Sequence, residues 1–205
     1  MEGITALLVG ITALVSAGTT LIVTTLKAKK QIEDTIPKKL KKHCDIDAEI
    51  IQRMEDVKDI LQADRVQIYD FHNGGHYANG RSALKTTCTY EVTRAGIKGY
   101  QMYLQALPLS AIPRFTKTLL NDKEMCVCDI ELIKDTMPGA YNIKKEQGVK
   151  GFHDIVLENK YGEPIGFLGI QYVNNSHKTY NNKEKNEVLR LKFFIEENLE
   201  QMIKK

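Results

Sequence analysis

Five side chains of the kind that bind metals or act as nucleophiles punctuate the chain. His72 and His76 are four residues apart in a stretch rich in Gly and Asn, Cys126 and Cys128 flank Val127, and His153 stands alone. Imidazole and thiolate are ordinary zinc ligands. Their spacing is not that of a zinc finger, so the simpler assignment is a polar loop and two buried thiols, because an unmodified cysteine behaves as a small hydrophobe. A nucleophilic or redox cysteine needs a depressed pKa beside a base or cation, and the sequence supplies neither. No metal is expected. Asp70, His72, Asn73 and Arg81 gather around the first loop. They are candidate ligand contacts, since loops on a rigid sheet often carry binding groups. Plain turn chemistry explains the Asn-Gly pairs equally well. Gly74-Gly75 is not followed by the Lys-Ser or Lys-Thr of a phosphate loop, and no serine elbow or paired-carboxylate motif is present. The chain reads as a binding module, not an enzyme.

The elements that must position these groups follow from hydrophobic period. Ile46, Ile50, Met54, Val57 and Leu61 predict an amphipathic helix over Asp45–Leu61. Arg65–His72 reads as a strand ended by the turn Asn73-Gly74-Gly75, and Asn79-Gly80 closes the loop. Ser82–Val92 alternates, with Leu84, Thr86, Cys88, Tyr90 and Val92 on one face. Tyr100, Tyr103 and Leu104 suggest a short helix or strand. A helix over Ile112–Leu120 is predicted, with Ser110 as its cap and Pro113 in its first turn. Met125–Asp129 is a short strand, and Met137-Pro138-Gly139 a loop. Phe152–Glu158 and Ile165–Val173 form a hairpin around a polar turn, and Asn182–Ile203 is a long amphipathic helix. The order implies an α+β domain: a central antiparallel sheet with flanking N- and C-terminal helices.

Ile4–Leu26 is a run of 23 residues without charge, long enough for a transmembrane helix. Its six threonines and one serine can bond back to the helix backbone. A cleaved leader would carry its positive charge before the apolar run. Here the lysines follow it: Lys27, Lys29, Lys30, Lys38, Lys39, Lys41 and Lys42, against Glu33 and Asp34, make 27–42 a +5 segment. The whole chain is +3, so the remainder is −2 and has no nucleic-acid footprint. The positive flank predicts an N-out, C-in single pass at the cell (inner) membrane, with the lysines against anionic headgroups. Residues 1–26 are therefore the expected span and 27–44 a basic juxtamembrane linker, broken from any continuous helix by Pro37. Residues 45–205 are the cytoplasmic domain. Four scattered cysteines fit a reducing compartment.

Over residues 45–203 the chain resembles the GAF domain family. The resemblance rests on the helix feeding "LQADRVQIYDFHNGG" (Leu61–Gly75), on "LPLSAIPRFTKTLLNDKEMCVCDI" (Leu107–Ile130), on the hairpin "GFHDIVLENKYGEPIGFLGIQYV" (Gly151–Val173), and on the last helix. PAS-like folds share a similar element order. The resemblance implies a sheet with one face on the terminal helices and the other covered by the middle segment, where many members hold a small ligand. It adds Tyr90, Tyr103, Arg114, Asp129 and Tyr172 to the candidate ligand contacts, and implies a homodimer through the terminal helices. Family ligands include cyclic nucleotides, bilins, haem and small metabolites. This chain lacks the Asn-Lys-x-Phe-Asp-Glu arrangement of cyclic-nucleotide binders and a Cys-His pair for bilin attachment, so its cofactor is left unassigned. The expected function is a membrane-tethered sensory or adaptor module for a small ligand or a protein partner. The alternative is a ligand-free interaction protein, of the kind phages and mobile elements encode; a holin-like role is the weakest fit.

Overall fold

The strands sort into one antiparallel sheet by alternation and pairing. The computed structural model describes the backbone of residues 2–174 and 179–203, and the side chains of 21–27, 38–174 and 179–202. Helix α1 spans Glu2–Leu61. Strands β1 (Arg65–His76) and β2 (Ser82–Thr93) follow, then the two-residue strand β3 (Leu107–Pro108), helix α2 (Pro113–Asp122) and strand β4 (Glu124–Val127). Helix α3 (Pro138–Glu146), strands β5 (Gly151–Glu158) and β6 (Pro164–Tyr172), and helix α4 (Asn182–Ile203) complete the order. Tight 3-10 turns occupy Gln101–Tyr103, Leu109–Ala111 and Ile130–Ile133. The spatial strand order is β3-β2-β1-β6-β5-β4.

The chain forms two units, Met1–Ile46 and Asp47–Lys205. Helix α1 is continuous through Pro37, where the sequence reading places a break. A proline removes one N–H and crowds the carbonyl four residues back, yet the ladder on either side can continue around it. The basic segment 27–44 lies within this helix. Most of the expected span, residues 4–26, falls on 1–20, whose side chains lie outside the described residues. Among the described residues no helix is long and apolar enough to cross a membrane. In the described part, Leu21, Ile22, Val23 and Leu26 are exposed. The Thr25 hydroxyl donates to the carbonyls of Leu21 (2.8 Å) and Ile22 (2.9 Å), and that of Thr24 to Leu21 (2.9 Å), the back-bonding that lets hydroxyls sit on a helix.

In the second unit, period-two alternation gives the sheet two faces. Val66, Ile68, Ile155, Leu168 and Ile170 lie on the face of the helices, with Ile50, Met54 and Leu61 of α1 and Leu191 and Ile195 of α4, all buried. The opposite, far face carries Tyr69, Phe152, Val156 and Phe167, packed under Phe115 and Leu119 of α2 and Tyr141 of α3. Tyr69 stacks on Phe167 at 4.3 Å, and Phe115 meets that ring edge-on at 5.9 Å. Each buried ring of this kind contributes about 1.5–3 kcal/mol.

Four expectations are corrected. Asn73-Gly74-Gly75 lies inside β1, and the chain reverses later, where Tyr77 N–H donates to the Arg81 carbonyl and Gly80 N–H to that of Tyr77. The face assigned to β2 is split: Ile68 pairs with Tyr90 but Tyr69 with Cys88, so the extra residue is Thr89. This β-bulge puts Thr86 and Cys88 on the far face and Tyr90 and Val92 on the helix face. Glu91, opposite Gln67 in the regular ladder before the bulge, shares the far face with Thr86 and Cys88. Third, Met137-Pro138-Gly139 begins α3 instead of forming a loop: Pro138 pre-sets the first turn, where a missing N–H costs nothing. A Cβ on Gly139 would lie 2.1 Å from the Ala111 carbonyl oxygen, so only glycine permits that approach. Helix α2 starts from Ile112 without a side-chain cap, so Ser110 does not cap it.

Gly166 sets the closest strand contact. A Cβ there would lie 2.0 Å from the Tyr69 carbonyl oxygen, in the pairing of β6 with β1. Gly166→Ala is expected to destabilise the fold by at least about 1–3 kcal/mol. An unchanged urea midpoint would contradict this register.

Candidate functional site

The far face holds an unusual number of charged and polar groups for a protein core. The alternation that points Tyr69 inward also points Arg65 and Gln67 there, opposite Gln171 and Gly169 of β6. Asp154 of β5 pairs with Gly169, and Glu91 of β2 lies opposite Gln67. Helix α3 lays Lys144 and Gln147 over them. Arg65, Gln67, Gln171, Asp154, Lys144 and Gln147 are all buried.

Two ion pairs organise the cluster. Lys144 Nζ donates to Asp154 Oδ2 at 2.8 Å and lies 3.7 Å from the centre of the Phe152 ring. Arg65 Nε sits 3.3 Å from Glu91 Oε1, not aligned for a hydrogen bond. Its Nη1 donates to Gln171 Oε1 at 2.6 Å and its Nη2 to the Lys98 carbonyl at 2.7 Å. Gln171 passes the chain on to Gln67 (2.7 Å), and Gln67 to Glu91 (2.7 Å); the Tyr69 hydroxyl also donates to Gln67 (2.9 Å). Glu91 further accepts the backbone N–H of Tyr100 (2.7 Å) and Gln101 (2.9 Å), which ties the middle segment to the cluster.

Burial pushes the Lys144 ammonium pKa down, against the pull of Asp154. Burial pushes the Asp154 carboxyl up, against Lys144. Both shifts favour neutral forms, the signature of a pair that is expensive to bury. Asp154 Oδ1 and the Thr86 hydroxyl are buried with no hydrogen-bond partner. Between these groups and the middle segment is a recess of about 30 Å³. Thr86, Lys144, Gln147 and Gln171 form its polar wall, and Tyr69, Leu104, Leu107, Ile112, Phe115 and Phe167 are among its apolar lining.

None of the nine sequence-predicted contacts lines this recess. Asp70, His72, Asn73 and Arg81 are strung along the outer half of the β1–β2 hairpin, with Asp70 opposite Thr87 and Arg81 beyond the His76–Ser82 pair. Burial raises the Asp70 pKa, opposed by Thr89 and His72. His72 Nε2 is 2.8 Å from the Thr87 hydroxyl, Asn73 Oδ1 accepts from Gly75 N–H, and Arg81 stacks on Tyr77 at 4.7 Å. Tyr90 points to the helix face and donates to Asp47 at 2.5 Å. Tyr172, on the same face, donates to Tyr180 at 3.0 Å, and burial raises its pKa to about 12. Tyr103 is exposed beside Lys98. Arg114 binds the Thr136 carbonyl, and Asp129 caps the 3-10 turn after β4 by accepting from Glu131 N–H. The residues that do form the cluster carry a recognisable signal in retrospect: Arg65, Gln67, Asp154 and Gln171 are polar positions within otherwise apolar central strands. Lys144 gave none, because α3 was not anticipated.

The two thiols expected to be buried are exposed. Cys126 lies directly opposite His153 on the helix face. Its pKa is raised, first by partial burial and then by Cys128, the opposite of what a nucleophile needs. Among the described residues no group of three or more His, Cys, Asp or Glu side chains is arranged to hold a metal ion.

This architecture is a GAF-like fold. The chain is similar to a far-red cyanobacteriochrome photoreceptor, at 13% identity and a TM-score of 0.60, covering 87% of this chain and 98% of that one. It is also similar to the phycocyanobilin-bound GAF domain of a cyanobacterial phytochrome, at 18% identity and a TM-score of 0.57, covering 77% and 85%. The blue-light-absorbing PixJ GAF domain of Thermosynechococcus elongatus matches at 16% identity and a TM-score of 0.56, covering 80% and 94%. No protein-family model and no curated protein matches the sequence. A bilin does not fit the recess as it stands: ligand pockets run to about 300–1,000 Å³, far above 30 Å³. Cys88, the far-face thiol, is fully buried, donates to the Tyr90 carbonyl at 3.4 Å, and is held protonated by burial.

Lys144→Met removes the counter-charge of Asp154, and breaking a buried pair from one side costs about 3–5 kcal/mol. The folded-state pKa of Asp154 is raised, so its contribution is fully present below the unfolded carboxylate value and is lost as pH rises through the folded one. Urea unfolding of the variant against the native chain should therefore show a larger deficit at about pH 8 than at about pH 4. An equal deficit would contradict the buried-carboxylate assignment.

Proposed function

We propose that this chain is a sensory or adaptor module whose GAF-like domain binds a small ligand in the far-face recess. The observation that carries this reading is the buried, charge-paired cluster of Arg65, Glu91, Lys144 and Asp154, of which Lys144 lines a recess shared with the unpartnered Thr86 hydroxyl. Such groups cost stability in a core and concentrate at functional sites. The ligand state would pass through the middle segment, which Glu91 ties to the cluster, and through α1 and α4 to a second copy. Exposed Ile60, Leu189 and Phe193 on those helices support a helical dimer contact. The uncharged run 4–26 and the lysines after it support a single-pass tether at the inner membrane face, with the domain cytoplasmic. Catalysis is no part of this proposal.

One observation favours a second reading, a ligand-free docking module: the recess is mostly filled by its own side chains. Native mass spectrometry of the full chain, released from nanodiscs, separates the two. A retained small molecule is the expected result, and a bare dimer would support docking instead. Alkaline carbonate should leave the chain in the membrane pellet; release into the supernatant would remove the tether.

A further inference from the structure

We infer that the far-face recess selects a small, neutral, planar molecule with a hydrogen-bond-accepting oxygen, and disfavours both carboxylates and ammonium ions. The inference rests on the ligand-binding reading above and names the ligand class.

The polar wall offers donors. Thr86, 1% exposed, has a hydroxyl with no partner, and it lines the recess. The Lys144 side chain, whose Nζ donates to Asp154, also lines the recess. Gln171 is committed at both ends, to Arg65 and Gln67. An accepting oxygen between Thr86 and Lys144 would satisfy the orphaned hydroxyl.

Charge parity decides between neutral and ionic ligands. The core already holds two cations and two anions, with side-chain exposures of 1% and 6% for Arg65 and Glu91 and 8% and 0% for Lys144 and Asp154. A carboxylate would add an unmatched anion, and an ammonium an unmatched cation, in a site where an uncompensated charge is heavily penalised. A neutral acceptor preserves the balance. The rest of the lining is apolar, with the rings of Tyr69, Phe115 and Phe167, which suits a flat body.

Entry requires one movable element. A 30 Å³ space holds a water or two, whereas a benzene-sized guest needs roughly 150 Å³. Leu107 pairs with Thr86 in β3, a strand of two residues between short 3-10 turns. A segment with so few ladder bonds opens at low cost, and Leu107, which lines the recess and pairs with Thr86, moves with it.

The test is a titration of the full chain in nanodiscs, with empty nanodiscs as reference, followed by saturation-transfer NMR. Three water-soluble probes of similar size are compared: N-methyl-2-pyridone (neutral acceptor), benzoate and benzylammonium. The pyridone is expected to bind at least tenfold more tightly than either ion. Thr86→Val should weaken it roughly three- to tenfold while Thr86→Ser retains it. Tighter binding of benzoate or benzylammonium overturns the ligand class and leaves the recess as a ligand site. Equal binding of all three, insensitive to Thr86→Val, overturns the recess contacts. If none binds, the inference fails; a native mass spectrum that is also bare then removes the ligand reading with it.

Discussion

The salt bridge between Lys144 and Asp154 is the interaction on which the far face is built. It joins α3 to the β5–β6 hairpin, with the Lys144 ammonium beside the rings of Phe152 and Phe115. Its cross-strand neighbour Gly169 gives Asp154 room: a Cβ there would lie 3.0 Å from Asp154 Oδ1, a tight contact. The Arg65–Glu91 pair beside it follows from the pairing of Glu91 with Gln67, and the bulge at Thr89 brings Thr86 and Cys88 onto the same face. Glu91 in turn fixes the start of the turn at Gln101–Tyr103 through two backbone N–H groups. Paired charges thus decide where the covering segment sits and how large the recess beneath it is.

A core assembled for stability alone would not choose this chemistry. Buried ion pairs seldom outperform well-packed apolar residues of the same volume, because desolvation offsets the attraction. The directions of the Lys144 and Asp154 shifts show that offset at work. On the proposed reading these groups serve recognition, while the aromatic stack of Tyr69 and Phe167 supplies the packing.

Much of the fold was legible from period and turn chemistry. The last hairpin and α4 were placed nearly to the residue, since long periodic elements bounded by polar turns have few competing readings. Helix α3 was hidden because Met137-Pro138-Gly139 is turn-like in composition, while its first-turn proline and its contact with Ala111 are visible only in three dimensions. The face of Tyr90 was misassigned because a bulge inserts one residue and inverts everything beyond it, and no residue type marks Thr89 as that insertion. The site was illegible for a related reason. Polar residues in loops draw attention, whereas Arg65, Asp154 and Gln171 sit within buried strands and meet Lys144 only once the sheet and α3 are assembled.

The double variant Lys144→Met/Asp154→Leu tests the central claim most directly, through its unfolding free energy at neutral pH beside the native chain and the Lys144→Met single variant. If the pair is retained for recognition, the double variant is as stable as the native chain or more so, by up to about 1–4 kcal/mol, and recovers what the single variant loses. A double variant as unstable as the single one would show that the ion pair is structural cement, and the argument for a ligand site on the far face would lose its foundation.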